Sequence, residues 1–213
     1  MTFTSLASSS RGNAYVVSDG ETTLLLECGL SFKELQKRLG YGVADITACL
    51  VSHEHQDHAK AAAQMLKAGV PVYMSEGTAA AHKDAMDAAN FIKAGEVLRF
   101  GHLTVVPFRT YHNVEEPLGF LIGAGRTKER LLWAVDTANL GVTADRLTYI
   151  AVECNYEERL LNRSDRIPSV LKERIRHSHF EVSDVIKWLH KQDLSGVLTI
   201  WLLHLSAGNS RAE

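Results

Sequence analysis

The chain has 213 residues, 23 Lys and Arg against 25 Asp and Glu, a net charge of −2, 46% hydrophobic residues and three cysteines. This composition excludes a disordered or low-complexity chain, and an odd, scattered set of cysteines (Cys28, Cys49, Cys154) argues against a disulfide scaffold. No apolar run reaches the roughly 18 residues of a membrane span, and the opening MTFTSLASSSRGN lacks a basic start and an apolar signal core, so a cytoplasmic protein is expected.

No repeat, linker or block of like charge divides the sequence, so one domain over residues 1–213 is expected. Tyr15–Val17 and Thr22–Leu26 are β-prone runs separated by the turn signal Ser18-Asp19-Gly20. Phe32, Leu35 and Leu39 follow Ser31 at helical spacing, with Gly40 as a stop. Ile46–Val51 reads as a strand, Ala59–Ala68 as a helix, Val70–Met74 as a strand and Thr78–Ala88 as a second helix. Glu96–Phe108 alternates apolar and polar residues, and Leu118–Ile122, Leu131–Val135 and Tyr149–Val152 are further strands. Pro168–Ile175 and Val182–His190 read as helices and Val197–Leu203 as a last strand. This order lacks the regular alternation of a doubly wound sheet and fits an α/β sandwich, two sheets packed together with helices outside.

Ten histidines is a high count for this length. Three of them lie in His53-Glu54-His55-Gln56-Asp57-His58, directly after an apolar strand. Neutral imidazole and carboxylate oxygen both suit zinc and related divalent ions. In an extended segment His53 and His55 face the same side, whereas Asp57 and His58 diverge as a helix begins. One pair therefore suits one ion and the other pair a neighbouring ion, and Asp57 is also placed to cap the helix. A solvated turn is the plainer alternative; four ligand-type residues in six weigh against it. Further donors sit just past strands: His112 after Val105–Arg109, Asp136 after Leu131–Val135, and His204 after Val197–Leu203. His53, His55 and His112 can hold one ion, Asp57, His58 and His204 a second, and Asp136 can bridge them.

Leu26-Glu27-Cys28-Gly29, the His53–His58 array, His112, Asp136-Thr137 and His204 resemble the successive motifs of the metallo-β-lactamase-fold hydrolases, in order and over essentially the whole chain. The resemblance implies a four-layer αβ/βα sandwich, two mixed sheets flanked by helices, with two divalent metal ions at one edge and an activated water or hydroxide as nucleophile. The histidines favour zinc and the carboxylates allow manganese. Ser5 to Asn13, Cys28-Gly29-Leu30-Ser31, Glu153-Cys154-Asn155-Tyr156, Leu171 to Ile175 followed by His179, and His204-Leu205-Ser206 ending near Asn209 resemble the YycJ-like (WalJ-like) branch of DNA exonucleases. Glu27 departs from that pattern, standing where the family usually has Asp.

The expected activity is phosphodiester hydrolysis on nucleic acid, with DNA favoured over RNA and no membrane partner. Asp57 and Asp136 would orient the nucleophile as well as bind metal. His179 can protonate the leaving oxygen or bind phosphate, with a surface helix cap as its plainer role. Ser206 and Asn209 can donate to phosphate. Ser8, Ser9, Ser10, Arg11 and Asn13 form either a polar rim around substrate or simply a tight hydrogen-bonded loop. Lys60, Lys67 and Lys83 flank helices near the array, and Arg159, Arg163, Arg166, Lys172, Arg174, Arg176 and Lys187 concentrate positive charge in the C-terminal third. Phosphate contacts need such charges, although acidic residues are interleaved. Trp133, Trp188 and Trp201 read as core. A thioesterase, lactonase or β-lactamase-like hydrolase on the same metals, and a non-enzymatic metal-binding protein, are the alternatives.

Overall fold

The structure is a computed structural model that describes residues 1–82, 86–206 and 208–210. Strands β1 (Thr2–Ala7), β2 (Ala14–Ser18), β3 (Thr23–Leu26), β4 (Ala48–Leu50), β5 (Val72–Met74) and β6 (Asn90–Phe91) form one sheet in chain order. The first three pair antiparallel and β3 to β6 run parallel. Strands β7 (Leu98–Phe100), β8 (Leu103–Arg109), β9 (Leu118–Ala124), β10 (Arg130–Ala134), β11 (Tyr149–Glu153) and β12 (Thr199–Leu203) form the second sheet in chain order. Here β7 to β10 are antiparallel and β10 to β12 parallel.

Period-two patterning assigns each side chain its layer. Leu24 and Leu26 of β3 and Leu131 and Trp133 of β10 face each other in the core between the sheets. Their chain neighbours face outward: Leu25 meets Leu35 of α1 (Phe32–Arg38) and Met65 of α3 (Ala62–Lys67), beneath α2 (Gln56–Ala59). Leu132 and Ala134 meet Val185 and Trp188 of α7 (Val182–Leu189). Helices α4 (Glu76–Ala81), α5 (Glu158–Arg163) and α6 (Ser169–Ser178) complete the outer layers. The result is the expected four-layer sandwich of two mixed sheets. Among the described residues no helix is long and apolar enough to cross a membrane, and all three cysteines are buried and free.

Several local expectations change. The helix expected over Ala59–Ala68 is broken between α2 and α3, because the Ala61 amide donates to Cys28 O at 2.9 Å instead of continuing the helical ladder. The helix expected from Thr78 starts earlier, with Ser75 accepting from the Thr78 amide as its cap, and ends at Ala81. The Lys83 part of that expectation lies outside the described residues. Glu96–Phe108 is a hairpin, turning at Gly101 with φ 53°. Trp133 and Trp188 are buried as expected, while Trp201 is half-buried against Phe3, ring centroids 4.8 Å apart.

Candidate metal centre

The parallel strands of both sheets end at the same edge, and the chemistry collects there. His53 and His55 lie in the turn after β4, Asp57 and His58 in α2, His112 beyond β8, Asp136 beyond β10, Glu153 at the end of β11 and His204 beyond β12. Three of the strand exits are made by non-glycine residues with left-handed backbone: Glu27 (φ 65°), Asp136 (φ 46°) and His204 (φ 53°). Such conformations cost on the order of 1–3 kcal/mol each and persist where the surroundings impose them. Here they turn all three side chains into one small volume.

The close approach of α2 depends on Gly29. A Cβ there would lie 1.6 Å from Asp57 O. The adjoining backbone is laced to α2, with Cys28 N donating to His58 O and Asn13 N to Asp57 O, both at 2.8 Å. Gly29→Ala should therefore displace α2, with a cost of about 3 kcal/mol for overpacking. At this chain length the melting temperature should fall by roughly 6–12 °C, as scanning calorimetry would show, and metal uptake should fall with it.

Two donor sets meet at one carboxylate. His53, His55, His112 and Asp136 form the first, and Asp57, His58, Asp136 and His204 the second, with the donor atoms of each set within 4.8 Å of one another. In the first, His53 Nε2 and His112 Nε2 lie 3.0 and 3.2 Å from His55 Nδ1. His112 Nδ1 bonds Ser178 O at 2.8 Å. A carbonyl only accepts, so the proton is on Nδ1 and Nε2 presents a lone pair to the centre. Burial pushes His53 well below its usual pKa and lowers His55 and His112 as well, which keeps all three imidazoles neutral, the state a metal requires.

The second set is richer in carboxylate. Asp136 Oδ2 lies 3.3 Å and Asp57 Oδ2 3.4 Å from His58 Nε2. Burial opposes charge on His204, but the charge of Asp136, with the hydrogen bonds His204 donates to Asp57 and Glu153, lifts its pKa to about 10. Burial likewise opposes charge on Asp136, and His204 and His58 hold its carboxyl well below the usual range. His204 Nδ1 lies 3.0 Å from Glu153 Oε1, so Nδ1 donates there, and a cation entering the site would displace the Nε2 proton to gain that lone pair. That Nε2 and Asp136 Oδ1 are buried atoms without hydrogen-bond partners. Convergent lone pairs and unpartnered buried acceptors are what a divalent cation satisfies, so the residues fit a two-ion site.

The structure also sorts the other expected site residues. His55, not Asp57, occupies the cap position of α2, and no side chain caps that helix, so the carboxylate of Asp57 stays available. Of the two roles open to Asn13, substrate rim or tight hydrogen-bonded loop, its full burial fits the loop: its amide donates to Ser9 O (3.1 Å) and Asp57 O (3.2 Å) and lies 3.2 Å from His58 Nε2. It braces the loop and cannot touch substrate. Asn209 is likewise 5% exposed, and donates to Ser206 Oγ at 3.0 Å. Ser9, Ser206 and His179 line an open cleft of about 690 Å³ above the donors, with Arg11 and Arg174 at its rim.

Glu153 escaped the sequence reading as a site residue. It is fully buried, and its Oε1 lies 2.7 Å from His179 Nδ1 while its Oε2 accepts from the Thr137 amide at 2.8 Å. Burial raises its pKa but His179 and hydrogen bonds to His179 and His204 outweigh that, so it stays ionised. A third donor group, Asp136, Glu153, His179 and His204, results. The signal was present: Glu153 ends a strand, as do the donors already selected. Ser8 fits the tight-loop reading: its Oγ accepts from the His204 amide at 2.8 Å and so ties the opening loop to the site. Glu27, one methylene longer than the usual Asp, still reaches: Oε1 accepts from the Ser52 amide at 3.1 Å and Oε2 lies 3.4 Å from His58 Nδ1.

A sequence profile of the beta-lactamase superfamily domain matches residues 22–200. The chain belongs to the beta-lactamase superfamily. Within that superfamily it is 30% identical to a protein named exodeoxyribonuclease YycJ from Bacillus anthracis, over 99% of this chain and 84% of that one. The metallo-beta-lactamase fold protein YhfI from Bacillus subtilis superposes with a TM-score of 0.71 at 17% identity, covering 98% of this chain and 88% of that one. The short form of human tRNase Z superposes with a TM-score of 0.70 at 15% identity, covering 97% and 93%. The fold is therefore the metallo-β-lactamase fold.

Proposed function

We propose that this superfamily member is a hydrolase dependent on two divalent metal ions and that it degrades DNA as an exonuclease. The observation that carries the reading is the junction of two donor sets at Asp136 on the floor of an open, arginine-rimmed cleft. Its likeness to a chain named exodeoxyribonuclease supports the choice of substrate.

His53, His55 and His112 would hold one ion, Asp57, His58 and His204 the other, and Asp136 would reach both. The imidazoles favour zinc, and the carboxylates also suit manganese. Ions bound there supply a water of lowered pKa and neutralise charge on the scissile phosphate. The chain does the rest. Asp57 and Asp136 present carboxylate oxygens that orient the attacking water. Glu153 holds His179 by Nδ1, leaving Nε2 to hand a proton to the leaving oxygen. Arg11 and Arg174 at the rim and Ser206 inside it bind non-bridging phosphate oxygens. Glu27, Asn13 and Ser8 keep His58, Asp57 and His204 in place. The bound strand and the buried walls exclude bulk water from the floor.

The test is an assay with 5′- and 3′-labelled single- and double-stranded DNA, and the same strands as RNA, under zinc and manganese separately. The expected result is metal-dependent shortening of DNA from one end, lost on chelation. Asp57→Ala should reduce it by about 10²–10³-fold, the scale of removing one preorganised electrostatic group. Metal-loaded protein that cuts neither DNA, RNA nor a generic phosphodiester would sink the reading.

A further inference from the structure

The positive charge of the C-terminal third divides into two classes. Arg159 pairs with Glu157 at 3.0 Å, Arg176 with Glu158 at 2.9 Å and Lys187 with Asp184 at 2.8 Å. Lys172 donates to Asn162 O at 3.0 Å. Arg176 and Lys172 tie α6 to α5, while Arg159 and Lys187 pair locally at their own helices, so all four are already engaged. Among the described residues, the side chains of Arg163, Arg166 and Arg174 make no ion pair or hydrogen bond, and neither does that of Arg11. All four lie along one path. Arg11 and Arg174 rim the catalytic cleft, while Arg163 and Arg166 line an adjoining groove of about 650 Å³ between α5 and the loop after β12. Ser10 and Ser206 belong to both hollows, so the two are continuous.

The groove is built to hold its shape. Arg176 reaches back from α6 to Glu158 and to Asn162 Oδ1 (2.7 Å), clamping α5 to α6 and fixing the loop between them that carries Arg166. The backbone of Glu157 donates to Asn209 O at 2.7 Å, which closes the far wall. One acidic residue, Asp165, lies among the lining arginines, leaving an excess of one positive charge in the groove itself. Unpaired guanidinium groups with serine hydroxyls beside them match phosphate oxygens.

Resting on the phosphodiesterase reading above, we propose that this groove is a subsite for the DNA strand beyond the scissile phosphodiester, with Arg163 and Arg166 binding the neighbouring phosphates. The substrate class is then a polynucleotide strand and not a small phosphodiester, because a small ester fills the catalytic cleft and leaves the groove empty. The groove supplies affinity and register, and takes no part in bond cleavage.

The test compares wild type with the double variant Arg163→Ala/Arg166→Ala, both exposed positions, on a labelled DNA oligonucleotide and on bis(p-nitrophenyl) phosphate. The expected result is a fall of about tenfold in the ratio of oligonucleotide to small-diester kcat/KM, carried by KM. The slope of log KM against log salt should also flatten by about 1.4, the loss of two phosphate contacts on a single strand. An unchanged ratio and slope would overturn the subsite while leaving the nuclease reading intact. If the wild type hydrolyses the small diester and never the oligonucleotide, the nuclease reading itself fails and the subsite falls with it.

Discussion

Asp136→Asn should strip both metal ions from the protein and abolish its hydrolytic activity. Asp136 is shared by every donor group of the site. Its Oδ2 lies 3.8 Å from His53 Nε2, 3.3 Å from His58 Nε2 and 3.6 Å from His112 Nε2, and its Oδ1 is 3.0 Å from His204 Nδ1. Asparagine is the informative replacement because Asp136 has φ 46°, and asparagine adopts left-handed backbone at little cost while alanine adds strain. The change then removes a charge and not a shape. Elemental analysis should find fewer than one ion per chain in Asp136→Asn, against two in the wild type, with activity down by about 10³-fold or more. His112→Ala touches one donor set only and should retain about one ion. If Asp136→Asn keeps both ions, the shared-carboxylate arrangement is wrong.

The second large effect belongs to the His179–Glu153 pair. Removing a positioned proton donor costs about 10²–10⁴-fold, so His179→Ala should lose kcat by that factor while retaining both ions. Glu153→Gln should be worse in kind, since Glu153 also receives His204 Nδ1 at 3.0 Å and the Thr137 amide at 2.8 Å. It should weaken metal binding as well as turnover. The discriminating readout is the leaving group. A phosphodiester that releases nitrophenolate needs no proton on departure, so His179→Ala should be nearly silent on it and severe on DNA. Equal losses on both substrates would make His179 a structural residue and remove it from the proton-transfer role.

The sandwich was legible because its two main signals are local. Leu24, Leu25 and Leu26, and Leu131 to Ala134, are apolar on both faces, as strands buried between a sheet and a helical layer must be. The donor array was legible for a similar reason: His53, His55, Asp57 and His58 are close in sequence, and His112, Asp136 and His204 follow recognisable strands. What escaped depended on distant partners. Thr2–Ala7 is a partly exposed edge strand whose two large apolar residues, Phe3 and Leu6, are three apart and break the period-two pattern, and only its pairing with β2 makes it a strand. Glu158–Arg163 is a six-residue helix with one buried side chain, Leu161, too short to show a period, and Arg176 from another element holds it. Sequence leaves Asn13 open between rim and loop, because it cannot show that Tyr15 OH (3.0 Å) and Asp57 O enclose the side chain. Glu153 was hidden by its strand, although the rule that singled out Asp136 applies to it equally.

Seven side chains at one sheet edge are proposed to hold two cations through a shared aspartate. Crystals grown with zinc or manganese and measured at the metal absorption edge test it most directly. Two anomalous peaks roughly 3.5–4 Å apart are expected, one among His53, His55 and His112, the other among Asp57, His58 and His204, with Asp136 in contact with both. A single peak, or peaks that leave Asp136 uncoordinated, would contradict it.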